Sequence, residues 1–145
     1  VVSTRDEEIA KIARQYGARV LWRSPGFEKD EVGTQEVARD VLLDQKWPEP
    51  MTCVIYATAP FITEKKIYEA QSLLYKSLGM KYVYSVDAQL QPTGGFYYGS
   101  TQALMDEIPL DKNSILLVTN DIDINTADDL AMADAFYENN SRMIG

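Results

Sequence analysis

The stretch Thr-Cys-Val-Ile-Tyr-Ala at residues 52–57 is almost entirely apolar, which is typical of a strand buried on both faces of a parallel sheet. Residues 58–60 end this strand with a proline, and Thr63 can cap a helix that continues to about Leu78. A buried strand followed by an amphipathic helix is the repeating unit of α/β proteins. This stretch therefore predicts the fold class of the whole chain.

The rest of the chain repeats the alternation and predicts one α/β domain over residues 1–145, with a mostly parallel sheet. We expect the first helix to begin at a Ser3 or Thr4 cap and to place Ile9, Ile12, Ala13 and Tyr16 on one face. Strands are predicted at 1–3, 18–22, 81–86, 96–99 and 114–119, helices at 4–16, 34–46, 63–78, 100–107 and 126–137, and a loop at 87–95.

Composition excludes several function classes. Fourteen basic against 22 acidic residues give a net charge of −8 without a basic cluster, which argues against nucleic acid as a partner. The absence of histidine excludes Ser-His-Asp and Cys-His catalysis and histidine metal sites. Cys53 is the single cysteine, so an internal disulfide is impossible and a reducing, cytoplasmic location is expected. No apolar run approaches the roughly 20 residues that span a bilayer, so no membrane role is predicted.

Polar side chains follow the predicted strands, at the sheet edge where α/β proteins bind ligands. Arg23 suits a phosphate group, and Asp121 and Asp123 suit a magnesium ion. Each also has a plainer interpretation: Arg23 as a solvated loop cation, and the two aspartates as caps of the next helix. These residues alone support only a ligand-binding α/β domain, in which we expect Arg23, Thr58 and Asp123 to line one cleft.

Six separated motifs, in order along nearly the whole chain, resemble the acylneuraminate cytidylyltransferase family. The first, VSTRDEEIA at 2–10, is similar to the family segment VSTDDEEIA, and a motif of the form RP…D…T is matched from Arg23 through Asp30 to Thr34. The other matches are YGA at 16–18, YATAPF at 56–61, GGFYYG at 94–99 and DINTADDL at 123–130. YATAPF and GGFYYG are closest to the pseudaminic acid branch, and DINTADDL is similar to the family segment DIDTPEDL.

The resemblance implies a Rossmann-like three-layer nucleotidyltransferase fold. It also implies a reaction in which CTP and an acidic nine-carbon keto sugar, of the pseudaminic or sialic type, give a CMP-sugar and pyrophosphate with Mg²⁺. By matching motifs, the nucleotide-binding residues would be Arg23, Asp30 and Thr34, the sugar-binding residues Tyr56, Thr58 and Phe96, and the metal ligands Asp123 and Asn125.

Three departures from the family pattern shape our expectations. The 145-residue sequence does not include the family's opening strand with its Gly-Ser-Lys phosphate loop, which we expect this chain to lack, the insert before Gly94 is short, and Asn125 replaces the second metal-binding aspartate. We therefore expect negligible turnover of CTP by this chain alone, whether the transferase is minimal or the chain is a fragment of a longer enzyme that supplies the loop, and an unpaired sheet edge at Val1–Ser3 that favours a homo-oligomer.

Two other interpretations of the chain stay open. One is a catalytically silent, truncated module of the same fold that binds a sugar or nucleotide or assembles with a partner. The other is a different sugar-nucleotide transferase with the same sheet, which the Tyr-Ala-Thr-Ala-Pro match at residues 56–60 disfavours.

Overall fold

The computed structural model describes residues 1–27, 29, 32–119 and 122–141. Its contacts divide the chain into two compact units: unit 1 comprises Val1–Pro50 and Thr101–Glu107, and unit 2 comprises Met51–Ser100 and Ile108–Gly145. Over the described residues, helices and strands alternate as predicted, and the α/β class is confirmed. The single domain over residues 1–145 stays a prediction.

Unit 1 contains a parallel pair of short strands, β1 (Val2–Thr4) and β2 (Val20–Trp22), joined through helix α1 (Glu7–Gln15). The predicted cap at Ser3 or Thr4 is wrong. Thr4 still belongs to the strand, and the Asp6 carboxylate accepts hydrogen bonds from the backbone N–H groups of Glu8 and Ile9 at 2.8 and 2.9 Å. Asp6 is a better N-cap than Ser3 or Thr4 because its carboxylate also interacts favourably with the helix dipole.

The apolar face of α1 is largely exposed. Ile9 and Ile12 are about half exposed and Tyr16 is 87% exposed, whereas Ala10 is completely buried. Strands β1 and β2 have three residues each and cover little of the helix surface. The small side chain of Ala10 lets the helix backbone approach these strands closely. The 3.6-residue period correctly identified an apolar stripe, but it carries no information about what that stripe faces.

Two further helices complete unit 1: α2 (Thr34–Asp44) and α4 (Thr101–Met105). Gly33, rather than Thr34, is the N-cap of α2, so Thr34 is the first helical residue. Ala38 and Leu42 are the buried residues of α2, and Arg39 forms an ion pair with Glu107 just after α4.

Unit 2 is built on a four-stranded sheet with the order β3-β5-β4-β6. Three of its strands, β3 (Met51–Ile55), β4 (Tyr82–Val86) and β6 (Ser114–Val118), run in the same direction, and β5 (Pro92–Ser100) runs between β3 and β4 in the opposite one. The sheet is therefore mixed, and the loop predicted up to Gly95 is wrong, since β5 begins at Pro92. The burial expected for residues 52–57 inside a parallel sheet is also wrong: β3 is an edge strand, pairs only with the antiparallel β5 within the described sheet, and is partly exposed.

The core of unit 2 lies between this sheet and helix α3 (Glu64–Lys76), whose predicted Thr63 cap is confirmed. Ala70 of α3 packs with Val83, Phe96, Tyr98 and Leu117, which all project from one face of the sheet. The last helix, α5 (Ala127–Ser141), follows β6. Within the described ranges, no helix is both long and apolar enough to span a membrane.

Candidate functional site at the strand ends

The strand order of unit 2 gathers the carboxyl ends of β3, β4 and β6 at one edge, beside the start of β5. Ligands of α/β proteins bind outside such an edge. Of the residues predicted from sequence, the structure places Tyr56 and Thr58 directly after β3, and Asp123 and Asn125 in the segment between β6 and α5. Backbone hydrogen bonds then connect these segments.

Tyr56 and Thr58 are held by neighbouring backbone. The Tyr56 N–H donates to the Gly95 carbonyl at 2.9 Å, and the Thr58 carbonyl accepts a hydrogen bond from the Ile124 N–H at 2.8 Å. The second bond is decisive for the site, because it joins the segment after β3 to the segment that carries Asp123. Two sequence-distant motifs thus meet at one edge.

Asp123 has an unusual environment for a carboxylate. One oxygen, Oδ2, accepts a hydrogen bond from the Asn125 side-chain amide at 2.8 Å, whereas Oδ1 is buried and has no hydrogen-bond partner among the described residues. A buried carboxylate oxygen without a partner carries a desolvation cost that a cation or ligand donor would remove. Among the described residues, no protein group satisfies this oxygen, so it is available to a ligand.

Gly94 makes room for this carboxylate. Its φ of +63° is unfavourable for other residues, and a Cβ atom placed there would lie 2.8 Å from Asp123 Oδ2. The glycine that reads as a simple turn in the sequence therefore permits close approach of β5 to Asp123.

The plainer interpretation of Asp123 as a helix cap is wrong. Helix α5 is capped by Thr126, whose hydroxyl accepts from the Asp129 N–H at 3.2 Å, and by Asp129, whose carboxylate accepts from the N–H groups of Asn125 and Thr126 at 3.1 and 2.8 Å. Thr126 and Asp129 thus form a capping box, and bonds from the Thr126 hydroxyl and these backbone groups lower the pKa of Asp129. Asp123 is thus not needed as a cap.

A cluster of tyrosines covers the sheet face opposite α3. The Tyr97 ring makes edge-to-face contacts with the rings of Tyr56 and Tyr82, each at a centroid distance of 6.4 Å. Tyr84 is the direct cross-strand neighbour of Tyr97. Burial, and secondarily the nearby Tyr56 phenol, raise the pKa of Tyr84, so the Tyr84 hydroxyl is a neutral donor and acceptor near pH 7. Sequence reasoning missed Tyr84, because alternation along a strand cannot reveal its cross-strand neighbours.

Phe96 lies elsewhere. Its ring is completely buried in the core against α3, and its N–H donates to the Ser85 hydroxyl at 2.9 Å. The residue supports β5 beside Gly94 and Gly95, and its ring does not face the tyrosine cluster.

In unit 1, Arg23 comes directly after β2. Its guanidinium group donates through Nη2 to the Ser3 carbonyl at 2.9 Å and through Nε to the Ser3 hydroxyl at 3.3 Å. The next residue, Ser24, donates its hydroxyl to the Asp40 carboxylate on α2 at 2.8 Å, which fixes the start of the loop. Asp30 lies outside the described residues. The expectation of one cleft stays a prediction, because Arg23 belongs to unit 1 and Thr58 and Asp123 to unit 2.

Comparison with known proteins completes the site's context. The family model described as cytidylyltransferase matches residues 1–142. The chain belongs to the cytidylyltransferase family. One curated relative, N-acylneuraminate cytidylyltransferase A of Danio rerio, is 36% identical over 85 residues, which cover 59% of this chain and 19% of the relative. The chain thus spans about a fifth of that relative's length.

The resemblance seen in the sequence is confirmed at the level of this family. Cytidylyltransferases generally use a divalent metal, and the described residues contain no group of three or more His, Cys, Asp or Glu side chains placed to hold one. They do provide the buried Asp123 oxygen and the adjacent Asn125 amide. This donor set fits Mg²⁺ as it is usually bound together with a nucleotide. Such an ion takes one or two ligands from the protein and the others from phosphate groups and water.

Proposed function

We propose that this cytidylyltransferase chain binds CTP and an acidic nine-carbon keto sugar and serves the transfer of CMP to that sugar. The observation that carries the proposal is the unpartnered, buried Asp123 oxygen at the sheet edge that also bears Tyr56 and Thr58. Family membership supports the cytidine nucleotide, and the Danio rerio relative supports an acylneuraminate-like acid.

Asp123 and Asn125 are the proposed metal ligands, with Mg²⁺ as the ion. When bound, such an ion neutralises phosphate charge and orients the leaving pyrophosphate. Asn125 offers a carbonyl oxygen without a charge, so Asp123 supplies the one carboxylate of the pair. Because Gly94 has no Cβ atom, β5 approaches the Asp123 carboxylate without a steric clash.

The proposed nucleotide-binding residues are Arg23, Asp30 and Thr34. Arginine suits phosphate because its planar fork donates two parallel hydrogen bonds. The Arg23 guanidinium is already anchored on Ser3 through Nη2 and Nε, which fixes its direction before a ligand arrives. A pre-oriented cation loses less conformational entropy on binding.

The proposed sugar-binding residues are Tyr56 and Thr58, with Phe96 in a supporting part through the position of β5. A polyhydroxylated acid needs several neutral donors and acceptors, and phenols with hydroxyls beside apolar rings provide both. We favour a sugar of the pseudaminic type on the YATAPF and GGFYYG motifs, with the sialic type as the alternative.

In the proposed reaction the anomeric hydroxyl oxygen of the sugar attacks the α-phosphorus of CTP. A new oxygen–phosphorus bond forms, the bond from the α-phosphorus to the bridging oxygen breaks, and pyrophosphate leaves while the hydroxyl proton passes to solvent or a nearby base. Such chemistry depends on position and charge neutralisation more than on a protein nucleophile, so a chain without histidine can serve it.

A second candidate is a binding module of the same fold without turnover. Asn125 in place of a carboxylate favours it, since a metal site with fewer charges binds Mg²⁺ more weakly. We include a homo-oligomer and a reducing, cytoplasmic location in the proposal; the latter is supported by the free Cys53.

Pyrophosphate release from CTP with Mg²⁺ and a panel of nonulosonic acids tests the proposal. Sugar-dependent release supports the transferase and contradicts the expectation that this chain alone turns over CTP negligibly. Binding of CTP and sugar without release supports the binding module, and failure to bind either ligand contradicts both.

A further inference from the structure

Two arginines meet at the carboxyl ends of the parallel strands in unit 1. Thr4 and Trp22 are the last paired residues of β1 and β2, so Arg5 and Arg23 are the next residues of the two strands. The Arg5 Nε donates to the Arg23 backbone carbonyl at 2.7 Å, and the Arg23 N–H donates to the Thr4 carbonyl at 3.1 Å. The two side chains therefore start from one fixed piece of backbone.

Neither guanidinium group forms an ion pair with a carboxylate in the part of the chain that the structure describes. The neighbouring Asp6 is occupied as the cap of α1, and Asp40 is occupied by Ser24. Acidic residues outnumber basic ones by 22 to 14, so two adjacent cations that have no acidic partner among the described residues are a distinct local feature. Like charges at neighbouring cross-strand positions repel unless an anion lies close to both.

Resting on the function proposed above, we infer that Arg5 and Arg23 together bind the phosphate groups of the nucleotide. The family segment VSTDDEEIA has aspartate at the Arg5 position, so the second arginine is a feature of this chain. Arg23 is partly buried and held on Ser3, whereas Arg5 is exposed and keeps its two terminal nitrogens for a ligand. Two planar forks at a strand-end edge match a chain of phosphates.

Calorimetric titration of the whole chain with inorganic pyrophosphate, in a buffer containing a metal chelator, isolates the arginines from any metal. We expect Arg5→Gln to weaken pyrophosphate binding roughly tenfold, the loss typical of one hydrogen-bonded charge. Arg14→Gln removes the same charge from the exposed end of α1 and should leave the affinity unchanged. Arg5→Lys should retain most of the affinity for pyrophosphate, because it keeps the charge. If Arg5 acted only through its Nε hydrogen bond to the Arg23 carbonyl, Arg5→Lys and Arg5→Gln would lose the same affinity.

Equal pyrophosphate affinities of the wild type, Arg5→Gln and Arg14→Gln would overturn the inference, as would absence of pyrophosphate binding by the wild type. A second titration, with CTP and UTP in Mg²⁺, separates this inference from the proposed function. If Arg5→Gln weakens pyrophosphate but the wild type binds CTP no better than UTP, the phosphate site stands and the cytidine-specific function fails.

Discussion

Cys53 shows how burial sets the chemistry of a single residue. It lies in β3, where burial raises the pKa of its thiol from 9.0 to about 11. The thiolate is the reactive form, so this cysteine is a packing residue with little nucleophilic character near neutral pH.

We predict that Cys53 makes the protein less stable in alkali. Its folded-state pKa is raised, so the native state holds the proton longer than the unfolded chain, and stability is lost as pH rises from 9 to about 11. The shift corresponds to about 2 to 3 kcal/mol of the unfolding free energy. Urea denaturation at pH 8 and pH 11 should show a smaller alkaline loss for Cys53→Ala than for the wild type, and an equal loss would contradict the prediction.

Gly94 is the residue that links backbone conformation to the site. We predict that Gly94→Ala costs about 1 to 2 kcal/mol from its left-handed conformation, plus displacement of the Asp123 carboxylate by the new Cβ. Gly79→Ala is the matched control, because Gly79 has a φ of +94° and no atom within 4 Å of its Cβ position. Both variants should lose stability by urea denaturation, but only Gly94→Ala should lose affinity for CTP in Mg²⁺. Equal losses of CTP affinity would show that strain alone matters.

At the level of elements, the stability of α5 depends on its capping box more than on burial. Among the described side chains of this helix, Ala133 is the only buried one. The reciprocal bonds between Thr126 and Asp129 also order the segment that starts at Asp123. The capped end of α5 thereby helps to position Asp123, which lies three residues before Thr126.

We predict that Thr126→Ala lowers the unfolding free energy by about 1 kcal/mol, the usual loss for an N-cap. The pKa of Asp129 is lowered mainly by the Thr126 hydroxyl, so its contribution exists above the ordinary pKa of aspartate and disappears as pH falls below it. Thermal unfolding between pH 3 and 7 should show a weaker acid dependence in Thr126→Ala. An unchanged pH dependence would mean that the cap does not hold Asp129.

The elements were predictable where the signal is local, and their arrangement was not. The strand at the apolar run 52–57, the Thr63 cap and the Thr126 box all depend on neighbouring residues, and the structure agrees with them. The buried, parallel placement expected for that strand is wrong, because β3 is an edge strand of the described sheet, paired antiparallel with β5. The antiparallel insertion of β5 between β3 and β4, the outward face of α1 and the meeting of Tyr84 with Tyr97 depend on distant partners. For the site, sequence motifs suggested Asp123, but its unpartnered oxygen and the space left by Gly94 exist only in three dimensions.

At the scale of the whole molecule, the proposed homo-oligomer can be tested directly. Strand β6 pairs with β4 on one side and, among the described residues, with no strand on the other, while Leu116 and Val118 on it are about half exposed. Such an edge favours association. We expect sedimentation to show a dimer or larger species that Val118→Lys shifts toward the monomer, and a monomeric wild type at high concentration would contradict the expectation.

The central proposal is that Asp123 anchors a metal–nucleotide complex, and calorimetric titration of CTP in Mg²⁺ tests it most directly. Asp123→Asn keeps the shape of the side chain and removes its charge; Asp111→Asn makes the same change at an exposed position before β6, at the opposite sheet edge. We predict that the wild type prefers CTP to UTP, that Asp123→Asn weakens CTP binding at least roughly tenfold, and that Asp111→Asn does not. Equal affinities of the two variants and the wild type for CTP would contradict the proposal.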